Sequence, residues 1–207
     1  TGGFQAQPIV RCADLGKAIF LDKPLADNID NGFEIAKIVR EKKVRFFSAS
    51  PLRFDNEFVK ASASLSNPLY ATIYGPLGAA PAGSSIVWYG VHAFEMLQKA
   101  MGSGAISVNV LSEGNGLVAI VSYTGKRRGV VELNRGAWIY GGTFRNTESA
   151  VSFKAGHSFY TSLLKEAEVF FRNGTLPLQL EDTLEVMGML DAAERSSKSG
   201  RPEPVYK

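Results

Sequence analysis

Lys23 is the first residue of this chain whose type and position suggest chemistry. It follows the apolar run Ala18–Leu21 and Asp22, and this run predicts a short strand that is covered on both faces. Open α/β sheets bind their ligands at the carboxyl ends of such strands. Pro24 comes next and restrains the backbone on both sides of the peptide bond. Lys23 is therefore a candidate for holding a substrate oxygen, although a lysine at a strand end can also point into solvent.

His92 is the second candidate, and it is one of only two histidines. It lies near the start of a predicted helix over 91–102, after a loop at 75–85 that is rich in Gly, Ala and Pro. An imidazole with a pKa of about 6.5 can accept or donate a proton near neutral pH. The alternative is a structural histidine that caps the helix or forms a hydrogen bond.

A metal site at the same helix is a further possibility. Glu95 lies three residues after His92 and would share its face, so the two could form half of a metal site. The third ligand would have to be the remote His157, and we therefore expect no metal. The single cysteine, Cys12, excludes an intrachain disulfide and is compatible with a reducing compartment, so we expect a cytoplasmic protein.

The elements that must position these residues fall into two groups. Up to residue 50, a helix that ends at Gly16, a strand at 18–21, a helix over 29–43 and a strand at 44–48 indicate a crossover unit with parallel strands. After it come a helix over 55–63, a strand at 69–74 and the helix that begins near His92. Strands are predicted near 106–112, 117–124, 129–134, 137–144 and 150–155, with helices over 158–172 and 181–199 at the end.

This order predicts an α/β plus α+β fold. We expect a remnant of a Rossmann-type parallel sheet at 1–50, followed at 51–207 by a large open antiparallel sheet with helices on one side. The second unit would bind substrate and mediate oligomerisation.

Three ordered motifs resemble the Gfo/Idh/MocA oxidoreductases, which act with NAD(P) on sugars, polyols and related compounds. Residues 16–26, Gly-Lys-Ala-Ile-Phe-Leu-Asp-Lys-Pro-Leu-Ala, resemble the family's Gly-Lys-apolar-Glu-Lys-Pro segment. Residues 89–97 are similar to its Gly-x-His-x-x-acid-x-Leu helix start, and residues 170–200 to its closing helix pair. The resemblance implies a C-terminal portion of such an enzyme, with NAD or NADP as cofactor and a sugar or polyol as substrate.

The resemblance also implies roles for the two candidates. Lys23 would hydrogen-bond the reacting hydroxyl and a cofactor ribose, and His92 would relay the proton while hydride passes to or from the nicotinamide. A fixed ammonium stabilises an alkoxide as it forms, and an imidazole can accept its proton.

Other residues are assigned to binding. Pro24 and Arg53 are expected on the cofactor side, although Arg53 could also be an ordinary surface arginine. Trp88, Tyr89 and Glu95 are expected to contact the substrate, since aromatic faces pack against sugar rings; core packing is the alternative for the two aromatic residues.

The chain departs from the family pattern at two places. Trp88 stands where many members carry Asp, four residues before the histidine, and no Gly-x-Gly-x-x-Gly turn is present to seat a pyrophosphate. We therefore expect a truncated fragment that is inactive alone. A non-catalytic sugar-binding or assembly module on the same scaffold remains an alternative, as does a metal-dependent isomerase or hydrolase.

Composition excludes several other classes of protein. The chain has 207 residues, is 45% hydrophobic and carries a formal net charge of +3, which is typical of a folded globular protein. The sequence has no basic face with interleaved aromatic residues, which is the pattern typical of nucleic-acid binding. It also has no apolar run that is long enough to cross a membrane. Strands such as 117–123 are too apolar to face water, so we expect the open sheet face to pair with a second copy of the chain.

Overall fold

Residues 6–206 are described by a computed structural model of the chain. The helices are α1 (Ala6–Ala13), α2 (Ile29–Glu41), α3 (Asn56–Ser64), α4 (Val91–Met101), α5 (Phe159–Asn173) and α6 (Leu180–Ser199). The strands are β1 (Ile19–Asp22), β2 (Phe46–Ala49), β3 (Tyr70–Pro76), β4 (Ala105–Glu113), β5 (Gly116–Tyr123), β6 (Arg128–Asn134), β7 (Gly141–Arg145), β8 (Ala150–Lys154) and β9 (Glu203–Pro204). A 3-10 turn follows β2 at Pro51–Phe54, and a π-helical turn at Ile86–Gly90 runs directly into α4.

A two-stranded parallel sheet forms the first layer. β1 and β2 pair from Ile19 opposite Phe46 to Asp22 opposite Ala49, and α2 makes the crossover between them. α2 begins where the side chain of Asn28 accepts a hydrogen bond from the backbone N–H of Asn31 at 2.9 Å. This cap satisfies one of the N–H groups that a helix start leaves unpaired. The predicted crossover unit is confirmed.

The second sheet has seven strands in the order β8-β7-β3-β6-β5-β4-β9. Its neighbours pair antiparallel except β3 and β6, which are parallel. The expectation of a purely antiparallel sheet is therefore wrong in this one pair. The physical reason is that β3, which comes from earlier in the chain, inserts between β6 and β7 and keeps them from forming a hairpin.

The segment 135–140 that joins β6 to β7 therefore has to cross the end of β3. At this crossing the ring of Tyr140 lies directly on Gly75, where an added Cβ would come within 2.6 Å of the Tyr140 ring. Gly75 is thus required by a close approach, because any larger residue would displace the tyrosine. The crossing brings Trp138 and Tyr140 towards the start of α4.

Helices cover one face of the large sheet. α4 packs against β3 and β6, and α6 packs against β4. Buried side chains of the strands, such as Val121 and Val131, join Phe94, Leu97 and Met189 of the helices in one core. The opposite face has no helix on it within residues 6–206, and Leu111 remains 58% exposed there.

A smaller core joins the first layer to α5. Phe47 of β2 is stacked with Phe20 at 4.7 Å between ring centroids and meets Phe170 of α5 edge-on at 4.9 Å. The main core also includes Leu25 and Ile35 together with residues of the large sheet. The expected small parallel unit, large sheet and one-sided helices are all present. Among the described residues, no helix is both long and apolar enough to cross a bilayer.

Candidate active site

Lys23 directly follows β1 and points towards the π-helical turn. Its Nζ lies 5.6 Å from the ring centroid of Trp88 and donates a long hydrogen bond of 3.5 Å to the carbonyl oxygen of the same residue. The side chain is half-buried, and this burial lowers the pKa of Lys23, with Asp22 opposing the shift. The amine is thus held in place while part of its hydrogen-bonding capacity remains unused by the described residues.

His92 is the second residue of α4 and lies on the same side of the molecule as Lys23. Its Nδ1 lies 2.6 Å from the Oγ of Ser50, and its ring meets Tyr140 edge-on at 5.6 Å. Burial, followed by the nearby charge of Lys23, lowers the pKa of His92 to about 3. The imidazole is therefore neutral at ordinary pH.

Parallel pairing brings the two functional elements together. Asp22 and Ala49 are register partners at the carboxyl ends of β1 and β2, so Lys23 and Ser50 both follow the sheet at the same edge. Ser50 also anchors α4 through its backbone, because its N–H donates to Oε1 of Glu95 at 3.1 Å. Sequence reasoning missed Ser50, although a residue directly after the second parallel strand is the positional signal that could have identified it.

Aromatic side chains form a wall beside Lys23 and His92. Tyr89 meets Trp138 edge-on at 5.9 Å, and its ring lies so close to Gly78 that a Cβ there would overlap it. Trp88 and Trp138 are 37% and 66% exposed, so large apolar rings remain open to solvent. Burial raises the pKa of Tyr140, which keeps its hydroxyl protonated. Trp138 and Tyr140 were not identified from the sequence, since only the crossing over β3 brings them here.

Arg53 and Glu95 lie elsewhere, in a buried cluster behind the site. Arg53 is 5% exposed and donates to the carbonyl oxygen of Glu95 at 3.0 Å and to Oε1 of Gln98 at 2.7 Å. Glu95 is 2% exposed and forms an ion pair with Arg53 at 3.4 Å. The predicted cofactor contact of Arg53 and substrate contact of Glu95 are not supported by this placement, because both groups use their hydrogen-bonding atoms inside the protein. Arg53 is not a surface residue either.

The possible metal ligands do not converge. Glu95 points to Arg53, whereas His92 points to Ser50, and His157 is exposed. Within residues 6–206, no group of three His, Cys, Asp or Glu side chains is arranged to hold a metal ion.

Solved structures share this arrangement of elements. A Sinorhizobium meliloti protein described as a myo-inositol dehydrogenase superposes with a TM-score of 0.88 at 17% identity, over 100% of this chain and 79% of that one. Myo-inositol dehydrogenase from Lactobacillus casei, solved with NAD(H) and myo-inositol, gives 0.84 at 12% identity, over 100% and 76%. Scyllo-inositol dehydrogenase from the same organism gives 0.82 at 12% identity, over 99% and 78%. The chain therefore shares the fold of these dehydrogenases.

Sequence comparison adds nothing to this match. No protein-family model matches the chain, and no curated protein matches it. At these identities the likeness concerns the fold, a small parallel sheet followed by a large mixed sheet with helices. The activity has to be argued from the site itself.

Proposed function

We propose that this chain is the substrate-binding portion of an NAD(P)-dependent oxidoreductase that acts on a hydroxyl group of a sugar, a polyol or a related compound. The observation that supports it most directly is the convergence of an ammonium and an imidazole from separate elements, Lys23 after β1 and His92 in α4. Both lie beside an aromatic wall that can receive the apolar face of a sugar ring.

Each side chain has a chemical role in this proposal. The ammonium of Lys23 binds the substrate oxygen and a cofactor ribose, and it stabilises negative charge on that oxygen. His92 forms the second hydrogen bond to the same oxygen. Pro24, which is buried directly after Lys23, restrains the backbone there. Trp88 and Tyr89 flank the substrate. A bound nicotinamide would accept or supply the hydride.

The described residues fit only one end of such a cofactor. Lys23 has hydrogen-bonding capacity left at the carboxyl edge of β1, where the nicotinamide end is expected. The joints at 23–28 and 50–55, which lead from β1 and β2 into helices, contain no glycine. Within residues 6–206, the strand-to-helix joints of the parallel sheet therefore lack the glycine-rich turn that seats a pyrophosphate.

The proposal is tested by cofactor binding and turnover in the intact gene product. NADH fluorescence should change on binding, and one member of a panel of sugars and cyclitols should be oxidised. Lys23→Met should abolish turnover, because the ammonium is lost while the side chain keeps a similar length. Lys17→Met removes an exposed lysine from the same segment and should have no effect. Absence of any dinucleotide binding would refute the proposal.

A non-catalytic sugar-binding or assembly module is the second candidate. It is favoured by Trp88 in the position of the usual acid and by the 66% exposure of Trp138, since both suit binding without proton transfer. This candidate predicts saturable sugar binding, measured by tryptophan fluorescence, with no turnover in either direction. Binding that survives Lys23→Met and His92→Ala would support it.

We also propose that the chain divides into two units at residue 50.

A further proposal is that two copies of the chain associate through the open face of the large sheet. Ile120 and Val130 are register partners on this face and are only half-buried, beside the exposed Leu111. Apolar side chains in neighbouring strands favour burial against a second copy. Ile120→Glu should then reduce the molar mass found by light scattering, whereas a monomeric parent protein would contradict the proposal.

A further inference from the structure

The hydroxyl of Ser50 makes two hydrogen-bond contacts, one with the backbone of the 3-10 turn and one with His92 of the site. Ser50 is completely buried, and its Oγ accepts the backbone N–H of Leu52 at 3.2 Å. The same Oγ lies 2.6 Å from Nδ1 of His92. Within residues 6–206 it has no third partner among the hydrogen bonds of the structure.

These contacts determine where the protons lie. A serine hydroxyl has one hydrogen to donate, and a buried donor needs an acceptor. The Leu52 contact uses a lone pair of Oγ and leaves the hydroxyl hydrogen unused. Nδ1 of His92 is the acceptor within reach, so the hydroxyl donates to Nδ1. A neutral imidazole that accepts at Nδ1 carries its own proton on Nε2.

We propose that Ser50 is a positioning residue that holds His92 in the tautomer protonated on Nε2, so that His92 meets the substrate oxygen as a hydrogen-bond donor rather than as a base. This inference rests on the proposed oxidoreductase function for its consequence, but not for the tautomer itself. It also changes which of the two polar groups, Lys23 or His92, takes the proton of the substrate.

Lys23 then has to carry the proton. Three observations indicate that His92 does not take up the proton. Trp88 replaces the expected acid one turn before His92, and among the described residues no carboxylate hydrogen-bonds or pairs with His92. A charged Lys23 also opposes a second positive charge on the imidazole. Oxidation of the alcohol also breaks its C–H bond, and a bound nicotinamide of NAD(P) would accept the hydride. Burial lowers the pKa of Lys23 and so favours its uncharged amine. This amine takes the O–H proton and becomes the ammonium that stabilises the oxygen, and the new carbonyl oxygen accepts the N–H of His92. Asp22 is the charged group that raises the pKa of Lys23, and the charge of Lys23 in turn lowers the pKa of His92.

The tautomer can be measured directly by long-range ¹H–¹⁵N NMR of the ¹⁵N-labelled 207-residue chain. The chain has two histidines, so His157→Gln assigns the spectrum. We expect Nδ1 of His92 to show the shift of an unprotonated acceptor and Nε2 that of a protonated nitrogen across neutral pH. A proton on Nδ1 in the unsubstituted protein would overturn the proposal, whether or not any variant folds.

Variants then test whether Ser50 is the cause. Ser50→Ala should give a mixture of tautomers, and Ser50→Thr, which keeps a hydroxyl, should restore the pattern of the parent protein. The matched control is Ser48→Ala, because Ser48 is buried in the preceding strand and its Oγ has no hydrogen-bond partner among the described residues. An unchanged His92 spectrum in a folded Ser50→Ala variant would contradict the proposal.

This experiment is independent of the proposed function. It requires no cofactor or substrate, so a wrong tautomer refutes the role of Ser50 and leaves the oxidoreductase proposal standing. Conversely, an intact gene product that binds no dinucleotide refutes the oxidoreductase proposal and leaves the tautomer measurement valid. If turnover is found, oxidation by the parent protein should slow at acid pH as the amine of Lys23 becomes protonated, and Ser50→Ala should lower kcat without removing that dependence.

Discussion

Replacing Glu95 by Gln should remove a loss of stability that the parent protein suffers as the pH rises towards neutrality. Glu95 is 2% exposed, and its carboxylate accepts the N–H of Ser50 at 3.1 Å and an N–H of Arg53 at 3.4 Å. The shorter hydrogen bond of Arg53, at 2.7 Å, goes to Gln98. Burial therefore raises the pKa of Glu95 from 4.5 to about 7, although Arg53 opposes the shift.

The sign and the size of this pH dependence follow from the difference between the pKa of Glu95 in the folded and in the unfolded protein. Because the folded state holds the proton more tightly than the unfolded state, the contribution of Glu95 to stability is fully present below pH 4.5 and is lost as the pH rises to about 7. The whole loss is about 3 kcal/mol, at about 1.4 kcal/mol per pH unit, and roughly 2 kcal/mol of it falls between about pH 5 and 7.5. The amide of the substituted glutamine cannot ionise, so the variant lacks this dependence.

Urea unfolding of both proteins at about pH 5 and 7.5 measures the effect. Other titrating groups of the folded protein are common to the two proteins, and Lys99, which also faces Glu95, has its pKa lowered by burial only to about 8. The matched control is Glu168→Gln, which removes an exposed carboxylate paired with Arg172 at 2.9 Å. It should change stability by less than about 1 kcal/mol.

One result would refute the reasoning. If the parent protein gained stability relative to Glu95→Gln as the pH rose, Arg53 would hold the ionised carboxylate more strongly than burial penalises it. The cluster would then be a stabilising ion pair, and Glu95 would be charged throughout the neutral range.

Two substitutions in helices and one at a helix cap give further predictions, all measured by urea unfolding at neutral pH. Gly32→Ala in α2 should stabilise the protein by about 0.5–1 kcal/mol, because the new Cβ meets its nearest side chains at ordinary contact distances of 3.7–3.9 Å. Gly188→Ala in α6 should instead destabilise it by roughly 1–3 kcal/mol, because the Cβ would overlap the backbone oxygen of Tyr206; equal effects at the two glycines would contradict this contrast. Asn28→Ala should cost about 1 kcal/mol by removing the cap of α2, and no loss would mean that another group caps the helix.

Local patterns in the sequence determined most of the elements. The sequence predicts a helix over 29–43 and strands near 106–112 and 117–124, and the structure has α2 behind the cap at Asn28 and the hairpin of β4 and β5. The apolar run before Lys23 predicted a parallel strand, which placed the amine at the sheet edge. These features could be predicted because capping, turn formation and periodicity act over a few residues.

The sequence by itself thus determined the kinds of element and the types of the two reactive side chains, whereas the tertiary structure decided which groups meet. Only the insertion of β3 between β6 and β7 brings Tyr140 to His92. Only the packing of α4 against the 3-10 turn that follows β2 turns Arg53 and Glu95 inward and places Ser50 against the imidazole. Such contacts join residues about 40 or more positions apart, and they depend on how whole elements pack rather than on any local pattern.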